Sequence, residues 1–345
     1  MNWALIGFGV MGEWHVDQLR TIEDIGIQGV YDVREERRTA AREKGLRAYI
    51  SLDELLSDPE VEFVTIATPN DAHKPLAIAA MRAGKHVITE KPVTVSSCDL
   101  REMIDVSKET GRVFTVHQNR RWDEDFLAIK RIYDEQTLGR VFNIESRVHG
   151  SRGISGWRGL KKHGGGLLLD WGVHLLDQLL MLVREPVVSV HCVCTYITTD
   201  EVDDGFASVI TFGSGVTARV EVGTSNFVYL PRWYVQGENG TTVIHDWHMN
   251  GETVRISDRD ISDAVPVVTA AGVTKTMAPR TEETIRKYPL PAIASDVRDF
   301  YRNIMRAING EESPIVTHSQ IMRVMRLMEA MFESARKDEV IHTRI

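Results

Sequence analysis

Cysteine is scarce: the chain has three, Cys98, Cys192 and Cys194. An odd number leaves at least one thiol unpaired, and Cys192-x-Cys194 alternates within a strand-like run without metal-ligand spacing. A disulfide framework and a cysteine metal site are therefore not expected, no other metal is expected, and the thiols read as buried in a reducing compartment. No run of 18 apolar residues occurs, and no basic segment precedes an apolar stretch at the first strand. Neither a membrane span nor a secretory leader is indicated, and a cytoplasmic protein is the expectation. An excess of positive charge is also missing: 41 Lys and Arg stand against 49 Asp and Glu, for a net charge of −8 with the signs interspersed. Without a basic face to neutralise phosphates, nucleic acid is not an expected partner. Low-complexity tracts and internal repeats are absent as well, which argues for compact folding throughout.

What is present is too much chain for one core. At 345 residues the sequence exceeds the roughly 250–300 residues at which single cores stop growing, and two domains are expected, 1–120 and 121–345. In the first, short apolar runs at Trp3–Gly7, Ile27–Tyr31, Val61–Ala67, His86–Thr89 and Val113–His117 alternate with helical spacing at Gly12–Ile22, Glu35–Lys44, Leu52–Leu56, Lys74–Ala83 and Ser97–Glu109. That alternation predicts an α/β domain, a parallel sheet doubly wound with helices. After Arg121 the order loosens into a helix at Asp123–Glu135, a strand at Val141–His149, a glycine-rich loop and a long helix around Asp170. Period-two runs at Val187–Ile197, Phe206–Phe212, Val216–Val222 and Trp233–Gln236 then predict one mostly antiparallel sheet. Asp263–Pro291 is expected to be an irregular, proline-punctuated loop reaching across the molecule or to a neighbour. Helices return at Ala294–Asn309 and Ser319–Ala335, with the option of packing back on the first domain.

The first strand runs into Gly7-Phe8-Gly9-Val10-Met11-Gly12, a G-x-G-x-x-G turn that opens a helix. Glycines there permit a tight turn, close approach of backbone to a diphosphate, and close helix packing, while the helix N-terminus faces the phosphates. Asp32 closes the second strand about 20 residues on, where a carboxylate accepts from both ribose hydroxyls of an adenosine, with Val33 beside it. That favours NAD, and Arg34 and Arg37 keep NADP open because both are within reach of a 2′-phosphate. Thr68-Pro69-Asn70 ends the third strand at the edge where open α/β sheets bind ligands, and Asn70 and His73 are candidates for the nicotinamide half. The alternative for Asn70 is a turn that caps the next helix, and for His73 a surface helix residue.

Glu90-Lys91-Pro92 ends the fourth strand. Proline restricts the backbone before it, so the Lys91 ammonium is aimed, and a cation at a strand's carboxyl end stabilises an alkoxide as hydride leaves an alcohol carbon. Farther on, Gly164-Gly165-Gly166 enters a helical run in which Asp170 and His174 stand four apart and are expected to share a face. A neutral imidazole accepts the hydroxyl proton, and the carboxylate is expected to orient it and steady the imidazolium. The competing view of this pair is a structural Asp–His contact inside a buried helix.

The ordered set GFGVMG, TPNDAH, EKPV and GGGLLLDWGVHLLD, with HQNRRWD at 117–123 between them, resembles the glucose-fructose oxidoreductase and inositol dehydrogenase family, Gfo/Idh/MocA, over nearly the whole chain. The resemblance implies an N-terminal Rossmann domain with bound NAD or NADP and a C-terminal α/β domain with a large open sheet. It places Lys91, Asp170 and His174 at the catalytic Lys, Asp and His positions. It implies cofactor contacts along residues 7–12, at Asp32, Val33, Arg34, Arg37, Thr68, Pro69, Asn70, His73, Glu90, Lys91 and Asn119. Substrate contacts would come from Lys91, Asn119, Arg121, Arg152, Trp157, Arg158, Asp170 and His174. A sugar or polyol substrate and a homodimer or homotetramer formed through the open sheet also follow from it. Two other activities accompany the dehydrogenase reading: a glycosidase that oxidises its sugar transiently with no net redox change, and a non-catalytic NAD-binding regulator.

Overall fold

The computed structural model describes residues 1–259 and 263–345. Its first part is a five-stranded parallel sheet of β1 (Asn2–Ile6), β2 (Gly26–Tyr31), β3 (Phe63–Ile66), β4 (His86–Thr89) and β5 (Phe114–Val116) in the order β2-β1-β3-β4-β5. Trp3 to Ile6, Phe63 to Ile66 and Phe114 to Val116 are buried along their whole length. Such continuous burial is what a parallel sheet covered on both faces demands. The connecting helices are α1 (Val10–Leu19), α2 (Glu35–Glu43), α3 (Leu52–Ser57), α4 (His73–Arg82) and α5 (Ser97–Thr110). The last starts on the Ser96 side chain, which accepts from Asp99 N at 3.1 Å, and stops at Gly111 in the left-handed conformation. Chain order reverses at β1, which lies between β2 and β3, so the loops after β1 and β3 flank the crevice where such sheets bind ligands.

A short 3₁₀ turn, Asn119–Trp122, leads to α6 (Glu124–Asp134) and β6 (Val141–His149). A π-helical turn, Leu168–Gly172, opens directly into α7 (Val173–Leu182). The remaining strands are β7 (Val187–Thr195), β8 (Gly205–Phe212), β9 (Thr217–Gly223), β10 (Trp233–Gly237), β11 (Gly240–Ile244), β12 (Gly251–Ile256), β13 (Val267–Thr269), β14 (Gly272–Thr274), β15 (Ile285–Pro289) and β16 (Ile341–His342). The second sheet runs β15-β12-β11-β10-β6-β9-β8-β7-β16, antiparallel except where β6 lies parallel to β9. Val190, Cys192, Ile210, Val220 and Val235 bury one face, whereas Phe142, Val193 and Val209 stand exposed. The expected loop at 263–291 is in part structured: β13 and β14 form a hairpin and β15 pairs with β12 as the sheet's edge.

Of the last two helices, α8 (Arg298–Ile308) packs back on the first part, while α9 (His318–Lys337) lies against β7 and α7 of the second part and touches α5 of the first. Tyr301 meets Trp3 edge-on at 5.8 Å, and Thr115 Oγ1 donates to Val316 O at 2.9 Å. The longer helix is fixed by a capping box in which Thr317 and Gln320 exchange backbone bonds. Among the described residues no helix is long and apolar enough to cross a membrane.

Candidate active site

The three fingerprint glycines have different duties. Gly7 sits at φ 94°, and an added Cβ would overlap the Ala67 carbonyl oxygen; at Gly12 it would overlap the Gly7 carbonyl. At Gly9 it would meet nothing within 4 Å. The outer two glycines thus serve the turn, and the middle one keeps open the approach to the start of α1. No side chain caps that helix, so its first amides are free for an anion. Val10 and Val33, 81% and 78% exposed, present apolar surface beside this loop and after β2. Asp32 is buried, accepting from Phe8 N at 2.8 Å and Arg34 N at 2.9 Å. Two backbone bonds leave a carboxylate further lone pairs for ribose hydroxyls. Arg34 lies 3.6 Å from Asp32 and Arg37 3.6 Å from Glu13, so both cations already face carboxylates. The loop, its acid and its apolar shoulders fit a dinucleotide.

Past β3, buried Asn70 donates through Nδ2 to Gly164 O at 2.8 Å, tying the two halves of the molecule together. His73 is fully buried with its ring nitrogens 2.9 Å from Pro92 O and 3.0 Å from Thr68 O. It fastens two loops and has no face to offer a cofactor, contrary to the expectation from its position. Glu90 also lies inside the fold. Its Oε1 receives His15 Nε2 at 2.8 Å and His117 Nδ1 at 2.9 Å, while Tyr301 Oη stands 2.7 Å from His15 Nδ1. Burial pushes the Glu90 carboxyl up, but the two imidazoles overcome this and hold it well below the ordinary value. Its Oε2 accepts the Lys91 amide at 3.1 Å, so a buried anion lies directly behind the lysine.

Lys91 follows β4, and its peptide bond to Pro92 is cis. Its Nζ donates to Asp170 Oδ1 at 2.9 Å and to the Asp170 carbonyl at 3.0 Å; Arg158 Nε donates to Oδ2 at 3.1 Å. Burial raises the Asp170 carboxyl, and the adjacent Lys91 and Arg158 cations more than reverse the shift. The chain thus brings together Lys91, Asp170 and Arg158 from positions far apart in sequence. His174 is buried, and its Nδ1 has no hydrogen-bond partner. Burial first, and then the Lys91 charge, hold the imidazole well below its ordinary range, leaving it neutral at pH 7. The expected Asp170–His174 contact is corrected: among the described residues no hydrogen bond joins them, and Asp170 accepts instead from the Lys91 and Arg158 cations, stronger partners for a carboxylate than a neutral imidazole.

Asn119 stays at the cleft with Oδ1 unpartnered. Arg121 does not: it is buried against Asp177 at 2.6 and 2.7 Å and also donates to Ile315 O, and so belongs to the scaffold. Its neighbour Arg120 is half-buried, its guanidinium 4.2 Å over the Trp171 ring and 5.2 Å over Trp247. In a 3₁₀ turn adjacent side chains diverge by about a third of a revolution, which separates the two arginines. Trp157 lies 4.8 Å beneath Arg158, whereas Arg152 is exposed at the start of the same segment. Trp171 stands 5.8 Å from His174 and 6.0 Å from Trp247, which arrives from the β11–β12 loop. His15, His117, Arg120 and Trp247 were not singled out by the sequence; for His15 the signal was its place one helical turn beyond Gly12. Buried polar atoms without partners gather here, at Thr89, His117, Gln118, Asn119, Arg120, His174 and Gln178.

A glycine-loop nucleotide fold with an ammonium after a strand end, and a carboxylate and a neutral imidazole on a helical segment beside it, defines an NAD-binding oxidoreductase. Residues 1–118 match the model of the oxidoreductase family with NAD-binding Rossmann fold, and residues 126–243 match the GFO/IDH/MocA C-terminal domain. The chain belongs to the Gfo/Idh/MocA family. A solved NAD-binding protein from Listeria innocua superposes with a TM-score of 0.96 at 48% identity, covering 99% of each chain. The Escherichia coli oxidoreductase YdgJ, itself uncharacterised, is 32% identical over 82% of this chain and 81% of its own. The Bacillus subtilis scyllo-inositol 2-dehydrogenase (NADP(+)) IolW is 25% identical over 98% of this chain and 94% of its own.

Proposed function

We propose that the protein is an NAD(P)-dependent dehydrogenase or reductase acting on a secondary alcohol of a sugar, glycoside or inositol. The observation that carries this reading is the Lys91 ammonium 2.9 Å from Asp170, with the neutral, partnerless His174 imidazole on the following helix. When bound, the dinucleotide supplies the ring carbon that takes up or returns hydride. Asp170, itself braced by Arg158, aims the lysine. Lys91 binds the substrate oxygen and stabilises its negative charge as the carbon–hydrogen bond breaks. His174 takes the hydroxyl proton, so that alcohol becomes carbonyl with one hydride and one proton removed; in reduction it returns that proton. Arg120, Asn119, Trp157 and Trp171 shape the pocket.

The relative named for inositol oxidation supports the substrate class. We also infer a division into 1–120 for the nucleotide and 121–345 for substrate and assembly. Cytoplasmic placement is supported by three free thiols, and pairing of copies through the outer face of the nine-stranded sheet by exposed Phe142, Val193 and Val209. The test follows absorbance of reduced nicotinamide across inositols, aldoses and glycosides with NAD and NADP. Lys91→Ala and His174→Ala should each lower kcat by about 10²–10⁴-fold while cofactor still binds. Rates like wild type in both variants would defeat the assignment.

A further inference from the structure

The helical segment that carries Asp170 and His174 begins without a side-chain cap of its own. Its first amides need acceptors, and the loop between β7 and β8 supplies them. Buried Asp203 accepts from Leu168 N through Oδ2 at 2.7 Å and from Leu167 N through its carbonyl at 3.0 Å. Its other oxygen lies against Gly166, where φ is 107° and an added Cβ would come within 2.2 Å of Oδ1. Gly166 in turn joins the two residues that meet at the Asp170 carboxylate. Its amide donates to Arg158 O at 2.9 Å, and its carbonyl accepts from Asp170 N at 3.0 Å.

Asp203 is itself pinned by its neighbour. Asp204 accepts from Thr195 Oγ1 at 3.0 Å, Ile197 N at 2.7 Å and Thr198 Oγ1 at 2.9 Å, and its carbonyl accepts from Thr224 Oγ1 at 2.8 Å. The loop is thereby tied to the ends of β7 and β9, so the second sheet fixes where Asp203 stands. Burial pushes the Asp203 carboxyl up to about 6, and among the described residues no salt bridge joins it. A carboxylate so placed is costly to bury. What it faces is the amide end of a helical segment, where the peptide dipoles favour an anion.

Building on the dehydrogenase reading, we propose that Asp203 is a positioning residue of the reaction: it sets the start of the helical segment, and through it the Asp170 carboxylate that aims Lys91. Steady-state rates with NAD on inositols, aldoses and glycosides are measured for wild type, Asp203→Ala, Asp170→Ala and the double variant. Asp203→Ala should lower kcat by about 10²-fold, the cost of a displacement of about 1 Å at the reacting groups. NAD affinity by calorimetry should stay within about twofold of wild type. Asp203→Asn keeps an oxygen for Leu168 N and should recover kcat to within about threefold. In the Asp170→Ala background, loss of Asp203 should cost less than about threefold more, because its effect runs through the missing carboxylate. A further loss there as large as in the wild-type background, no recovery in Asp203→Asn, or a wild-type kcat in Asp203→Ala overturns the proposal. If Asp203→Ala does not fold, Asp203→Glu, one methylene longer against Gly166, takes its place in the same cycle with the same expected losses. Should wild type turn over none of the panel, the dehydrogenase reading fails alone. For that case, and for an Asp170→Ala background too slow to measure, a crystal structure of the folded Asp203 variant decides. Lys91 Nζ beyond hydrogen-bond reach of Asp170 Oδ1 upholds the positioning role, and the 2.9 Å contact retained overturns it.

Discussion

The nucleotide crevice and the proposed reaction pocket are built in opposite ways. Six consecutive residues and one acid at the next strand end make the first: Gly7 and Gly12 set the turn, Gly9 keeps the approach open, and Asp32 locks the loop through the Phe8 amide. The second is collected from Lys91, Asn119–Arg120, Arg158, Asp170–His174 and Trp247, none of which is shaped by its immediate neighbours alone. A locally written site tolerates change elsewhere in the molecule, whereas an assembled one depends on every segment that delivers a side chain.

The strongest way to break this contrast is at Lys91. Lys91→Ala should cost about 10²–10⁴-fold in kcat with NAD affinity close to wild type, measured by steady-state rates and calorimetry. A parallel collapse in cofactor binding would show that the two regions are one unit. Next in size is the adjacent-arginine pair. Arg121→Ala strands buried Asp177 and should lower unfolding free energy by about 3–5 kcal/mol in denaturant melts. Arg120→Ala should leave the melt nearly unchanged and raise KM; equal destabilisation of both would put Arg120 in the scaffold. In the crevice, Gly9→Ala has room in the protein but intrudes on the ligand's approach. It should weaken NAD binding by about tenfold with an unchanged Tm, whereas Gly12→Ala should lower Tm as well.

The smallest effect is on pH dependence. His174 must be uncharged to take a proton in oxidation, and burial has depressed its pKa, so the protonated form accumulates only well below pH 6.5. The acid limb of kcat/KM for oxidation should therefore fall below pH 6.5; a limb above it would mean that His174 gains an acidic partner.

Legibility followed the same division. The parallel sheet and the glycine turn could be read because each rests on short-range spacing, while Asp32, Lys91, Asp170 and His174 are the site residues we propose, each announced by a strand end or a helix start. The absence of an Asp170–His174 hydrogen bond is not legible, because the partners that Asp170 takes instead, Lys91 and Arg158, are delivered by other segments of the chain. Arg120 and Arg121 are chemically identical, and only the 3₁₀ geometry decides which one faces the cleft. The strand Ile285–Pro289 reads as loop in the sequence because its side chains are mostly exposed on both faces, which erases the period-two pattern. Trp247 comes from a turn whose direction depends on β11 and β12 pairing, a long-range fact.

Five of the seven tryptophans, Trp14, Trp122, Trp157, Trp171 and Trp247, are grouped around the proposed reaction pocket and a cleft beside it. Indole emission overlaps the absorption of a reduced nicotinamide, so the protein carries built-in donors for energy transfer to its own coenzyme. Loading, hydride transfer and release could each be followed as a change in intrinsic fluorescence, with no label attached.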